Sequence, residues 1–253
     1  MQKIRALFVL SVCLCACSGG GGTPDPSDAR ALEVGAQDSG SGDGSGICGG
    51  QVFKDEVTNA RDLGGHPLAT GGKVACGKIL RGGELGSLTS TGCDELAKLG
   101  IKTVVDLRQE SVQISQPPAS CVSQQAKLVN AAMPKLLPDT PENYLALMNE
   151  KTAIAALFRA LGETASYPVY FHCVIGRDRA SFMTALVLLA LGADRQTVVS
   201  EFQLSEQAGV MVKPECINTV LDEIENQGGI EAYLTSVGVT SAQLSVLQQV
   251  GKQ

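Results

Sequence analysis

Eight consecutive residues, His172-Cys173-Val174-Ile175-Gly176-Arg177-Asp178-Arg179, set a thiol, a glycine and a guanidinium at spacings that suit one kind of chemistry. A β-prone run, Pro168 to Phe171, leads into them, and an Ala/Leu-rich run, Ser181 to Leu191, follows and ends at Gly192. Where a buried strand turns into a helix, loop amides and the helix's first turn converge and favour an anion. Such a place favours Cys173 as a thiolate and would take three phosphate oxygens once a substrate arrives. The planar Arg179 fork can hold two of those oxygens. Val174, Ile175, Gly176, Arg177 and Asp178 complete the loop, and His172 is expected to hold it by backbone hydrogen bonding. A buried structural Cys with a helix-capping Arg would leave the glycine and the flanking strand unexplained.

Other elements must carry this loop. Lys78 to Arg81, Thr103 to Leu107 and Ala126 to Asn130 read as short strands, with a helix over Thr91 to Leu99 closed by Gly100. Beyond Thr197 the chain reads as helices over Val198 to Gln207, Pro214 to Asn226, Ile230 to Val237 and Ser241 to Val250. The alternation predicts an α/β fold, a mostly parallel central sheet flanked by helices with a helical C-terminal part.

With these residues in view, the chain resembles the cysteine-based protein tyrosine phosphatase superfamily, and within it the bacterial tyrosine-phosphatase family that includes secreted mycobacterial enzymes. Asn59-Ala60-Arg61-Asp62-Leu63-Gly64-Gly65 is similar to that family's N-F-R-D-L-G-G motif, and Leu80-Arg81-Gly82-Gly83-Glu84-Leu85 to its R-S-G-x-L strand end. Val105-Asp106-Leu107-Arg108 matches its D-L-R strand end, and Tyr233-Leu234 with Gly238-Val239-Thr240 fits its tail. The resemblance implies a cysteine-phosphatase fold and a two-step reaction, in which Cys173 attacks phosphorus and water hydrolyses the phosphocysteine. It implies no metal or other cofactor, since Arg179 and amide dipoles fill the cation's role.

Three carboxylates compete as the acid for the leaving oxygen: Asp139, Asp106 and Asp178. Asp139 sits in Leu137-Pro138-Asp139-Thr140-Pro141, where most of the superfamily carries a mobile acid; its plainer role is a solvated turn. Asp106 ends a strand facing the site, and would otherwise bind loop amides or Arg108. Asp178 lies within the loop, or simply complements a helix dipole. Arg61 and Asp62 read as a structural hydrogen-bond pair. Two departures stand out: Ala180 replaces the Ser or Thr that usually follows the Arg, and Ala60 replaces a Phe. Arg177 adds a loop charge that either engages a second phosphate, admitting phosphoinositide or inositol phosphate substrates beside phosphoproteins, or points to solvent.

The 253 residues are 44% hydrophobic and carry a net charge of −6, which argues for a packed core and against a nucleic-acid partner. Two His against nine Cys leave no His-built metal cage. Lys3 and Arg5 precede an apolar run, Ala6 to Ala16, too short to span a bilayer stably, which reads as an export signal over residues 1–16. Leu14-Cys15-Ala16-Cys17 resembles a lipobox, making Cys17 the lipidated mature N-terminus; an ordinary signal peptide is the alternative. Residues 18 to 50 hold eleven Gly and read as a flexible tether of roughly 30 Å reach. The expected product is a monomeric domain over 51–253, tethered by lipid to the bacterial cell envelope, at the outer membrane or in the periplasm. Export makes disulfides expected; the sequence alone leaves the pairing of the five remaining Cys open, with Cys93 to Cys121 and Cys48 to Cys76 favoured and Cys216 free, and the alternative is that some are small buried hydrophobes. A rhodanese-like sulfur transferase and a non-enzymatic phospho-ligand binding lipoprotein are the competing classes.

Overall fold

The structure is a computed structural model and describes residues 47–253. The export signal, the lipid site at Cys17 and nearly all of the tether lie outside the described residues. In chain order the elements are β1 (Arg61–Asp62), β2 (Ile79–Gly82), α1 (Ser90–Leu99), β3 (Thr103–Asp106), α2 (Glu110–Ser115), α3 (Ser120–Gln125) and β4 (Lys127–Asn130). There follow α4 (Pro141–Leu147), α5 (Lys151–Leu161), β5 (Val169–His172), α6 (Asp178–Leu191), α7 (Arg195–Gln203), α8 (Pro214–Asn226), α9 (Ile230–Ser236) and α10 (Ser241–Gly251).

The five strands form one sheet in the order β1-β2-β5-β3-β4, parallel throughout except for β1, which runs antiparallel to β2. β5 therefore lies at the centre, flanked by β2 and β3, and all four of its residues are buried. Its continuous apolar character before His172 follows from that position, since a central parallel strand has no solvent face. Register places Gly82 and Asp106 on either side of His172. The ends of β2 and β3 thus stand beside the loop that leaves β5.

α6 carries the loop's far end. All but two of its residues are buried, so it is covered on every side and packs as the central helix. The larger core lies between the sheet and α4 to α10, and a second core beneath α1 and α3 covers the other face. Gly100 and Gly192 close α1 and α6 in the left-handed conformation. No helix among the described residues is long and apolar enough to cross a membrane.

Two local expectations are corrected. The helix expected over Val198 to Gln207 ends as an α-helix at Gln203 and tightens to a 3-10 turn, Leu204–Ala208, before Gly209. Arg61 and Asp62 do not bond to each other. Consecutive strand residues point to opposite faces, so Arg61 reaches Glu201 while Asp62 accepts from the amides of Gly49 and Gly77.

Candidate active site

The loop from Cys173 to Asp178 is held from behind by its carbonyls. His172 Nδ1 lies 3.0 Å from the Cys173 carbonyl, the Glu84 amide donates to the Val174 carbonyl at 3.0 Å, and Asn59 Nδ2 donates to that of Gly176 at 3.0 Å. The carbonyl and the following N–H of a trans peptide point in opposite directions. The amides of Val174, Ile175 and Arg177 therefore turn away from these braces, and all three residues line a cavity of about 400 Å³. Cys173, Asp178 and Arg179 line the same cavity, whose walls include Gln109, Val112, Lys135 and Leu137.

Glycine is required twice in this construction. Gly176 has φ +70°, and a Cβ there would come within 2.6 Å of the Gly82 carbonyl carbon. A Cβ on Gly82 would meet Ala60 Cα at 2.7 Å. The Gly82-Gly83 strand end and the Asn59-Ala60 segment thus pack directly under the loop. The Ala60 departure fits here as packing, since its small side chain lies against Gly82.

Arg179 is buried, and its Nη1 donates to the carbonyls of Leu107 and Met133 at 3.3 and 3.4 Å. These carbonyls leave β3 and β4, so two strand ends orient the guanidinium at the mouth of the loop. Cys173 is 2% exposed, at the cavity floor.

Behind the loop is a network of buried charges. Arg61 donates to Glu201 through Nε at 2.8 Å and also bonds the Asn59 side chain, whose amide holds Gly176 and the Ser205 hydroxyl. Arg81 donates to Thr184 Oγ1 at 3.2 Å and to Ser181 Oγ, and stands 3.9 Å from Glu201. Burial pushes the Arg81 guanidinium down to about 10, helped by the Arg61 charge, so it stays cationic at neutral pH. Burial alone would raise the Glu201 carboxyl, yet Arg61 and Arg81 hold it below its ordinary range. Sequence reasoning missed Glu201. Its signal was an acid at helical spacing between Val198 and Phe202, on the buried face of α7.

The three carboxylates fall in different places. Asp106 is clamped by Arg108, whose Nε and Nη2 donate to it at 3.0 and 2.7 Å, while Arg108 Nη1 reaches Glu84 at 2.5 Å. Burial opposes ionisation of Asp106, but Arg108 and His172 hold its carboxyl below the ordinary value. Asp106 and His172 line a different cavity, of about 300 Å³, with Ile114 and Leu128. Asp139 bonds Lys213 at 3.5 Å and does not line the Cys173 cavity. Asp178 does line it, accepting from Tyr144 Oη at 2.9 Å and from Arg177 at 2.8 Å. His172 is buried, which pushes its imidazole down despite Asp106 at 3.9 Å. Because a carbonyl only accepts, its Nδ1 carries the proton that holds the Cys173 carbonyl.

Cys48 pairs with Cys76 and Cys93 with Cys121, while Cys173 and Cys216 are free and buried. Ser181, one position beyond Ala180, gives its hydroxyl to Arg81.

The chain is similar to several known proteins. Over 173 residues the chain is 29% identical to a Cupriavidus necator protein named as a tyrosine-protein phosphatase, covering 60% of this chain and 62% of that one. It is 33% identical over 81 residues to the triple specificity protein phosphatase of Mycobacterium tuberculosis, covering 32% of this chain and 28% of that one. The chain thus spans less than two thirds of the length of these curated relatives. Among solved structures, the core catalytic domain of a PP-IP phosphatase from S. cerevisiae matches at TM-score 0.42 and 12% identity, over 62% of this chain and 86% of that one. The model of the tyrosine phosphatase family matches residues 54–250, from the segment bracing the loop to the last helix, and the chain belongs to that family.

Proposed function

We propose that the chain is a phosphoric monoester hydrolase acting on phosphotyrosine, through a phosphocysteine on Cys173. The observation that carries this reading is a loop whose carbonyls are tied outward, with Cys173 and Arg179 on one cavity. The Cys173 sulfur attacks phosphorus as the ester P–O bond breaks, and Arg179 with the loop amides binds the three equatorial oxygens. Asp178 gives its proton to the departing oxygen. It then takes a proton from the water that attacks the phosphocysteine and frees the Cys173 sulfur. Asp178 is assigned this role because it alone of the three candidates lines the cavity; Asp106 serves instead to hold Arg108.

Arg177 is paired with Asp178, and Lys135 lines the same cavity. These two cations support a further phosphate on the substrate, which favours inositol phosphates and phosphoinositides as a second class. The export signal and tether favour a domain that works in the cell envelope, anchored through Cys17, with both cysteine pairs oxidised.

The test is p-nitrophenyl phosphate hydrolysis in the presence of chelator. Turnover abolished by Cys173→Ser is expected; a Cys173→Ser variant that retains turnover would reject the reading. For the acid, Asp178→Asn should slow phosphotyrosine more than p-nitrophenyl phosphate, whose leaving group needs less help. Equal slowing, or a larger effect from Asp139→Asn, would move the assignment.

A further inference from the structure

On the far side of β1 from Arg61 lies a second group of reactive side chains, which the phosphatase reading does not use. The sulfurs of Cys48 and Cys76 and a carboxylate oxygen of Asp62 all lie within 4.8 Å of one another. Asp62 is 1% exposed, and its Oδ1 has no hydrogen-bond partner. Its other oxygen accepts from the amides of Gly49 and Gly77, on the chain beside each cysteine. Gly64 lets this crowding happen, since a Cβ there would collide with both Asp62 Oδ2 and the Cys76 backbone. The two sulfurs differ in access: Cys48 is exposed and Cys76 only half-buried.

The structure holds the two sulfurs as a disulfide, and on reduction the carboxylate within 4.8 Å of them can take a thiol proton. We propose that Cys48, Cys76 and Asp62 form a thiol–disulfide exchange site for low-molecular-weight thiols and disulfides, with Cys48 as the sulfur attacked and Asp62 as the proton acceptor for Cys76. The inference stands apart from the phosphatase reading and survives its failure.

With the pair reduced, the Cys48 thiolate attacks one sulfur of a disulfide RS–SR, forming Cys48–S–SR and releasing RS⁻. Cys76 passes its proton to Asp62, its sulfur attacks Cys48 Sγ, the bond to the outer sulfur breaks, and the second RS⁻ leaves with the proton. Two protein thiols are oxidised and one disulfide is reduced to two thiols. Burial raises the Asp62 carboxyl above its ordinary value against the pull of the glycine amides, which makes it the better base. Cys93 and Cys121 offer an internal comparison, because among the described residues no carboxylate or imidazole completes a group with them.

The experiment reduces the intact protein, removes the reductant, adds glutathione disulfide and follows each cysteine by peptide mass after acid quench. In the wild type, glutathione should appear first on Cys48 and vanish as the Cys48–Cys76 bond closes. Asp62→Asn keeps an oxygen for the glycine amides; it should slow that closure about tenfold or more, so that the Cys48 adduct accumulates. Closure of Cys93–Cys121 should be unchanged. Equal closure rates in the two proteins would overturn the proposal. So would first modification at Cys76, which the wild-type time course reads even if Asp62→Asn fails to fold.

Discussion

In the proposed reaction, Ala180 bears on the second step. It follows Arg179 at the start of α6, and it is completely buried, so the position offers the loop a methyl and no hydroxyl. The nearest serine, Ser181, is turned to Arg81. The freed sulfur of the second step therefore lacks a neighbouring side-chain donor at this position. Ala180→Ser should raise the rate of phosphocysteine hydrolysis while leaving the first step unchanged. Rapid-quench kinetics check this: a smaller burst and a faster steady state are expected, and unchanged values of both would contradict it. Arg179→Lys should lower kcat/KM by about tenfold or more, because an ammonium cannot reproduce the bidentate fork that two carbonyls aim at the cavity. At this scale the sequence was highly legible for Cys173 and Arg179, whose spacing is local. It was not for the acid, because the choice among Asp106, Asp139 and Asp178 depends on which cavity each lines, and that is set by chain packing.

The Cys173–Arg179 loop owes its shape to elements far from it in sequence. β2 ends in Gly82-Gly83 under the loop, and Asn59 reaches up from the segment before β1. Gly176→Ala would bring a Cβ within 2.6 Å of Gly82 and hold a non-glycine residue at φ +70°. A loss of stability of roughly 1–3 kcal/mol is expected, with a larger fractional loss of kcat than of substrate affinity. Thermal melts and steady-state kinetics on the same preparation read both. Strand and helix positions were legible because apolar runs and Gly caps are local signals; Pro214–Asn226 appears as expected. The Arg61–Glu201 pair was not, since it joins residues 140 positions apart and one-residue alternation along β1 decides which side chain reaches it.

For the molecule as a whole, buried charge sets the response to pH. Burial pushes both imidazoles, His66 and His172, below their ordinary value of 6.5. The unfolded chain takes up protons there before the folded one does, so the stability they contribute is full above pH 6.5 and declines as pH falls toward their folded values. Denaturant melts should show this loss between neutral and mildly acidic pH, and His172→Gln should flatten the curve; an unaltered slope would refute the assignment. Glu201 acts in the same sense at lower pH, its carboxyl being held down by Arg61 and Arg81 against burial. Glu201→Gln leaves those guanidiniums without a counter-charge and should cost about 3–5 kcal/mol. The acid sensitivity and the active-site geometry thus share one network, which runs from α7 through Arg61 and Asn59 to the Gly176 carbonyl. The phosphocysteine is tested most directly by mass analysis of the intact chain, acid-quenched within its first turnover of p-nitrophenyl phosphate. One phosphate per chain is expected, located on Cys173 and absent from Cys173→Ser; turnover with no phosphate on Cys173, or phosphate on another residue, would contradict it.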